Sequence, residues 1–284
     1  MKKMIAASKL SITTACKTVG MPRASYYRRR QQSKAISEAK IVSAIEEIVL
    51  EYTRYGYRRV TAELRRRGTH VNRKRVCRIM REKGWACKPK RFRIATTDSN
   101  HQLPTYGNLA KHLKPTGINQ LWVEDITYVL LPHGQVYLAV ILDVFSRRCI
   151  GWDLGNRIDT TLALNALEMA ISQRKHYGLA GLIHHSDQGV QYASSEYVAM
   201  LNAFGIQPSM SRKANPYDNA FAESFMKTLK SEEVYVKDYA DMNEARENIK
   251  QFIEVVYNNK RLHSSIGYLP PVEFECMVLN RIVR

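Results

Sequence analysis

Asp125, Asp187 and Glu223 are the side chains whose type and spacing point most directly to chemistry. Thirty-five residues separate the second from the third, and Lys230 follows the glutamate by seven positions. Carboxylates drawn to one point repel unless cations stand between them. An all-oxygen donor set suits Mg²⁺ or Mn²⁺. Two such ions about 3.5–4 Å apart activate a water or hydroxyl on one side of a phosphodiester and stabilise the leaving oxygen on the other. The expectation is an enzyme that cuts and joins nucleic-acid strands, with two Mg²⁺ (or Mn²⁺) ions held by Asp125, Asp187 and Glu223. Lys230 would reach the phosphate beside the scissile bond.

The elements around these residues read as an α/β domain. Leu121–Leu131 has strand character, Pro132-His133-Gly134 marks a turn, and Gln135–Phe145 and Cys149–Asn156 continue an antiparallel meander. A helix is expected over Thr160–Tyr177, a short strand over Leu182–His185 delivering Asp187, a helix over Ser195–Phe204 and a fifth strand over Ile206–Met210. Helices over Asn219–Leu229 and Met242–Asn258 follow. This order matches a ribonuclease-H-like fold: a mixed five-stranded sheet with flanking helices, its first strand central and next to the fourth. Asp125 then lies mid-strand and Asp187 ends the neighbouring parallel strand, an edge where α/β sheets commonly host sites. Phe221, Phe225 and Leu229 recur every four residues and predict a core stripe. Glu223 is about 200° round from Phe221 at ~100° per residue, on a face with Asn219, Met226 and Lys230. His185 and Asn219 flank the site. Glu124, Asp143, Asp153 and Asp218 compete for roles, and Asp143 is a candidate partner of Arg147 or Arg148. His184 and His185 have no companion cluster with zinc spacing.

Charge divides the chain. Residues 1–114 hold 28 Lys and Arg against 7 Asp and Glu, a net of +21; residues 115–284 hold 16 against 19, a net of −3. So one-sided a charge predicts a polyanionic partner held by the front of the chain. A short helix containing Ile12, Ala15 and Val19 runs into Gly20, and Pro22 opens a second that leads to Arg28, Arg29 and Arg30: a helix-turn-helix plan over residues 1–35. Residues 36–93 repeat it. Ile41, Ile45 and Ile48 have helical spacing, Arg58 and Arg59 lead into a helix closed by Arg65-Arg66-Arg67-Gly68, and Asn72 caps a helix carrying Arg73, Lys74, Arg75 and Arg78. All these cations, with Lys230, are expected to contact double-stranded DNA. Residues 94–117 read as a linker and 118–284 as the catalytic domain with C-terminal helices. Five scattered cysteines, with no leader and no apolar run of about 18 residues, fit a reduced cytoplasmic protein.

Three segments carry a family resemblance: Trp122-Val-Glu-Asp125-Ile-Thr-Tyr, His185-Ser-Asp187-Gln-Gly-Val-Gln-Tyr, and Asn215-Pro-Tyr-Asp-Asn219-Ala-Phe-Ala-Glu223 through Lys230. Together they resemble the DDE transposases of bacterial insertion sequences, of the OrfB type, with a retroviral-integrase-like catalytic core. Tyr257-Asn-Asn-Lys-Arg261-Leu-His263 through Pro271 resembles that family's C-terminal signature, and Arg54-Tyr-Gly-Tyr-Arg-Arg its second helix-turn-helix. The integrases' paired-His, paired-Cys zinc module is missing from the front half. The resemblance implies binding of terminal inverted repeats, cleavage that exposes a 3′-hydroxyl, and direct attack of that hydroxyl on another phosphodiester. It further implies that Asp125 and Asp187 bridge or flank one ion while Glu223 completes the second. Self-association on DNA, an upstream-frame partner or fusion, and a nucleoid-associated location follow as expectations. A nuclease that does not join, and a DNA-binding regulator with an inactive core, are the alternatives.

Overall fold

The computed structural model describes residues 2–8, 10–27, 38–86, 104–212 and 219–282. The chain divides into two compact units, Met1–Ala44 and Ile45–Arg284. In the first, α1 (Lys2–Ala7), α2 (Ile12–Thr18) and α3 (Arg23–Tyr27) gather around buried Ile5, Ala15 and Cys16. Ser11 caps α2 by accepting from the Thr14 N–H, and Gly20 takes the left-handed φ of 64° that ends the helix and turns it toward α3. The first helix, α1, was not legible in the sequence. Arg28, Arg29 and Arg30 lie outside the described residues.

The boundary falls within α4 (Glu38–Glu51). The second unit begins with a helical module: the end of α4, then α5 (Tyr57–Arg66) and α6 (Arg73–Glu82). Ile45, Ile48, Val60, Leu64, Val76, Ile79 and Met80 are among its buried side chains. Asn72 Oδ1 accepts from the Lys74 N–H, so the expected cap of α6 is present. Gly68 and Gly84, at φ 79° and 70°, close α5 and α6.

The rest is a sheet covered on both faces. β1 (Leu121–Leu131), β2 (Gly134–Asp143), β3 (Cys149–Gly155), β4 (Ile183–Ser186) and β5 (Gln207–Met210) stand in the order β3-β2-β1-β4-β5. The first three are antiparallel, and β4 and β5 add in parallel. The expected mixed five-stranded sheet with a central first strand is therefore present. Its central strands are nearly continuous apolar runs because both faces are buried.

Trp122, Ile126, Ala139 and Ile141 meet α7 (Thr160–Arg174), α8 (Val190–Ala193) and α9 (Ser195–Ala203) on one face. Val123, Val140 and Leu142 meet α10 (Ala220–Leu229) and α11 (Met242–Gln251) on the other. Gly151 is required where α7 crosses β3, since a Cβ there would stand 2.2 Å from the Ala166 carbonyl oxygen. Two expected helices are shorter than their periodicity. The 160–177 segment becomes a 3₁₀ turn at Lys175, and 242–258 passes into a π-helical turn at Phe252–Tyr257. A second π-helical turn, Lys230–Val234, follows α10, and α12 (Pro271–Ile282) closes the described chain. Part of the expected linker is packed: Leu109 N–H donates to Ser209 Oγ, and Ala110 and Leu113 lie against the α10 side of the core.

The core stripe of α10 differs from its expected form. Ala222, Phe225, Met226 and Leu229 are buried, whereas Phe221 is exposed with the Arg147 guanidinium stacked 4.3 Å from its ring centre. The inward face follows the 3-4-3 spacing of residues 222, 225, 226 and 229, so Met226 belongs to the core and not to the Glu223 face. Among the described residues, no helix is long and apolar enough to cross a membrane.

Candidate active site

β1 and β4 bring two of the acids together. Their parallel register pairs Val123 with His185; Asp125 and Asp187 each follow two residues on, and the Asp187 charge acts on the Asp125 carboxyl. Asp125 is the one half-open position in an otherwise buried run from Leu121 to Val129. Its Oδ1 accepts from the Ile126 N–H at 2.9 Å. Asp187 Oδ1 accepts from the Gly189 N–H at 2.9 Å, which fixes the carboxylate just past the end of β4.

Glu223 enters from the first turn of α10. Asn219 sets where that helix starts, since its Nδ2 donates to the Glu124 carbonyl on β1 at 2.9 Å. The tie joins the helix carrying Glu223 to the residue before Asp125. The Asn219 Oδ1, also buried, has no hydrogen-bond partner among the described residues. Glu223 points to the open side as its helical phase requires, and its Oε2 lies 3.3 Å from Lys227 Nζ.

The electrostatics link the three. Withdrawal from water, then the charge of Asp187, then those of Glu223 and Glu124, push the Asp125 carboxyl up to about 8. The Ile126 N–H opposes this only in part. A carboxyl so raised keeps its proton at neutral pH unless positive charge comes close. Lys230, on the Glu223 face, supplies a little: its Nζ sits 4.0 Å from the centre of the Tyr128 ring on β1. Burial lowers the Lys230 pKa, and the Asp125 charge pushes it back up.

The three acids nevertheless do not form a closed cage as placed. Among the described residues, no three His, Cys, Asp or Glu side chains are grouped closely enough to hold a metal ion. Asp125 and Asp187 are brought together by register, and Glu223 is within electrostatic reach but turned to Lys227. The donor chemistry fits a hard divalent cation: only carboxylate oxygens, with excess negative charge, at an open sheet edge.

Behind the acids lies a matched polar network that the sequence did not reveal. Glu124 is fully buried on the opposite face of β1, and its Oε2 takes a hydrogen bond from the Tyr197 hydroxyl and lies 3.1 Å from His184 Nε2. Burial raises its pKa while His184 and Tyr197 counter that rise. His185, expected to flank the site, is buried, with Nδ1 2.9 Å from Ser209 Oγ on β5. Asp143 pairs with neither Arg147 nor Arg148. It accepts from the N–H groups of Asn119 and Ser146 and shapes the turn after β2. Asp153 pairs with Arg246, and Asp218 lies outside the described residues.

The expected DNA-contacting cations separate into two sets. Arg59 Nε donates to the Leu262 carbonyl; Arg66 makes a two-pronged pair with Glu273 at 3.0 and 2.8 Å; Arg67 bonds Glu51 and Glu63. These three are turned to protein groups. Arg58, Arg65, Arg73 and Lys74 are exposed, Arg78 is exposed beside Glu82, and Arg75 is half-buried.

Three family models match the chain. Two, each described as an integrase core domain, match residues 115–216 and 204–271, and an HTH-like domain matches residues 37–93. The chain is 40% identical over 265 residues to the IS600 uncharacterized 31 kDa protein of Shigella sonnei, covering 91% of this chain and 96% of that one. It is 39% identical over 249 residues to the transposase for insertion sequence element IS904 of Lactococcus lactis, covering 87% and 98%. Against transposase InsF for IS3A of Escherichia coli it is 35% identical over 278 residues, covering 94% and 95%. A chain of the simian T-cell lymphotropic virus intasome is similar at 17% identity and a TM-score of 0.47, over 81% of this chain and 74% of that one. A helix-turn-helix-like module ahead of an integrase core, with near full-length likeness to these transposases, makes the chain a member of the insertion-sequence transposases, enzymes of DNA cleavage and strand transfer.

Proposed function

We propose that Asp125, Asp187 and Glu223 are the catalytic acids of this transposase, that they hold two Mg²⁺ or Mn²⁺ ions, and that the ends acted on are the terminal inverted repeats of its element. The observation that carries the reading is geometric: Asp125 on β1 and Asp187 just past β4 each accept a backbone N–H, and Asn219 ties the Glu223 helix to β1, while burial and the neighbouring acids push the Asp125 carboxyl up to about 8. Such a cluster gains stability from divalent cations, as a matched ion pair would not. When bound, such ions supply polarisation of the phosphoryl oxygens and a more acidic attacking hydroxyl.

The chain's own groups do the rest. Asp125 and Asp187 both lie two residues past the Val123–His185 pairing of β1 and β4, and Asn219 ties the Glu223 helix to β1. Lys230, buttressed by Tyr128, offers an ammonium to the phosphate beside the scissile bond. In cleavage a water oxygen forms the new P–O bond and the departing strand leaves with a 3′-hydroxyl. In joining that hydroxyl forms a P–O bond to target DNA while another P–O bond breaks, so no covalent protein–DNA link is needed. The exposed cations of α6, Arg73 and Lys74 with Arg78, are the best placed for duplex phosphates, with Arg58 and Arg65 beside them. Two ends must be joined in one event, so the active form on DNA holds at least two chains.

Strand transfer tests this reading. Purified protein with Mn²⁺ and a labelled inverted-repeat end should yield end joined to target DNA. Cleaved ends with no joined product would replace the reading with that of a simple nuclease.

A further inference from the structure

The segment Arg54-Tyr55-Gly56-Tyr57-Arg58-Arg59 sits in a basic module and reads as part of a DNA-binding surface, yet three of its side chains are spent elsewhere. The Tyr55 hydroxyl accepts the Leu262 N–H at 2.8 Å, and Arg59 Nε donates to the Leu262 carbonyl at 3.1 Å. Leu262 is completely buried, so both of its main-chain polar groups need partners, and this module supplies them. Arg54 Nε donates to the Ser231 carbonyl at 3.2 Å, inside the π-helical turn that begins with Lys230. The next residue of that turn, Glu232, holds the buried Arg261 guanidinium with both oxygens at 2.8 Å, immediately before Leu262. Farther out, Arg66 grips Glu273. Tyr55 is 2% exposed, too deep to touch a duplex.

We infer that Arg54, Tyr55 and Arg59 are positioning residues for strand transfer and not DNA contacts: they clamp the helical module onto the Lys230–Val234 turn and the Arg261–His263 segment. DNA held by the outer face of α6 is thereby registered against Lys230 and, one helix back, Glu223. The inference rests on the catalytic reading above and adds the part that couples DNA binding to it. It also accounts for the Arg261-Leu262-His263 signature, whose side chains and backbone form the receiving half of the clamp.

The experiment uses the full chain, inverted-repeat DNA and Mn²⁺, and measures end affinity as a function of salt alongside the joining rate at saturating DNA. Arg59→Ala should lower the saturating rate by about tenfold to a hundredfold, the scale on which misplacement acts. Its end affinity and the slope of log affinity against log salt should match wild type. Arg59→Lys, which keeps a donor, should recover most of the rate. The outer contact serves as a fold-independent check: Arg66→Glu and Glu273→Arg should each slow joining, and the double swap should restore it. Loss of affinity with a salt slope shallower by about one, at an unchanged saturating rate, would make Arg59 a phosphate contact and overturn the inference. Failure of the double swap to restore the rate would overturn it as well. A wild-type chain that forms no joined product would instead overturn the catalytic reading and carry the inference down with it.

Discussion

Glu275 and Asp125 are both acids withdrawn from water, and the protein treats them in opposite ways. Glu275 meets the buried guanidinium of Arg174 with one oxygen and Arg148 with the other, at 2.7 Å. Glu232 is served likewise by Arg261, and Glu124 by Tyr197 and His184. Asp125 accepts one backbone N–H and feels three other carboxylates, with the Lys230 charge acting against them. Glu275 and Glu232 are given guanidinium partners, whereas Asp125 is set where burial and neighbouring carboxylates raise its pKa. The contrast separates structural charge from working charge more sharply than residue type does.

Removing Asp187, whose charge acts on Asp125, carries the largest expected effect. Asp187→Asn should reduce strand transfer by about a thousandfold or more while end binding persists, as for a residue acting with its partners as one unit. Retained turnover in a strand-transfer assay would take Asp187 out of the site. Glu275→Ala should do the reverse, leaving chemistry per folded molecule alone but costing about 3–5 kcal/mol in denaturant unfolding, since it strands Arg174 in the interior.

The same contrast predicts a pH dependence. The Asp125 pKa, pushed up to about 8, lies above its unfolded value of roughly 4. The folded state therefore binds the extra proton between those values. The stability contributed is complete below pH ~4 and is lost as pH rises through about 8. Metal-free wild-type protein should thus lose thermal stability across that window relative to Asp125→Asn, and Mn²⁺ should raise the wild-type midpoint but not that of the variant. Parallel pH profiles would mean that Asp125 bears no such strain.

The smallest expected effects sharpen the matched side. Arg73→Ala or Lys74→Ala should each flatten the salt dependence of DNA affinity by about 0.9 in slope. Arg67→Ala, whose guanidinium is committed to Glu51 and Glu63, should leave that slope unchanged.

The sheet was legible because doubly covered strands are long apolar runs. Asp125 was conspicuous because a carboxylate within such a run stands out. Caps and helix stops at Asn72, Gly20, Gly68 and Gly84 were local and equally plain. What escaped was long-range or small. Phe221 has the spacing of a core residue, but the inward face is set by Ala222, whose small side chain gives little signal. Arg59 has the neighbours of a DNA contact, but its partner is a main-chain carbonyl 203 residues away. The Glu124–His184–Tyr197 network unites three elements that no spacing rule connects. Composition counted the arginines correctly and could not say which already had carboxylates.

Crystals of the full chain with inverted-repeat DNA and Mn²⁺ would test the central assignment most directly, through the anomalous signal of the metal. The expected result is manganese ligated by oxygens of Asp125, Asp187 and Glu223 at about 2.0–2.2 Å, with Glu223 released from Lys227. Manganese bound elsewhere, with Glu223 still on Lys227 and Asp125 without a cation, would contradict it.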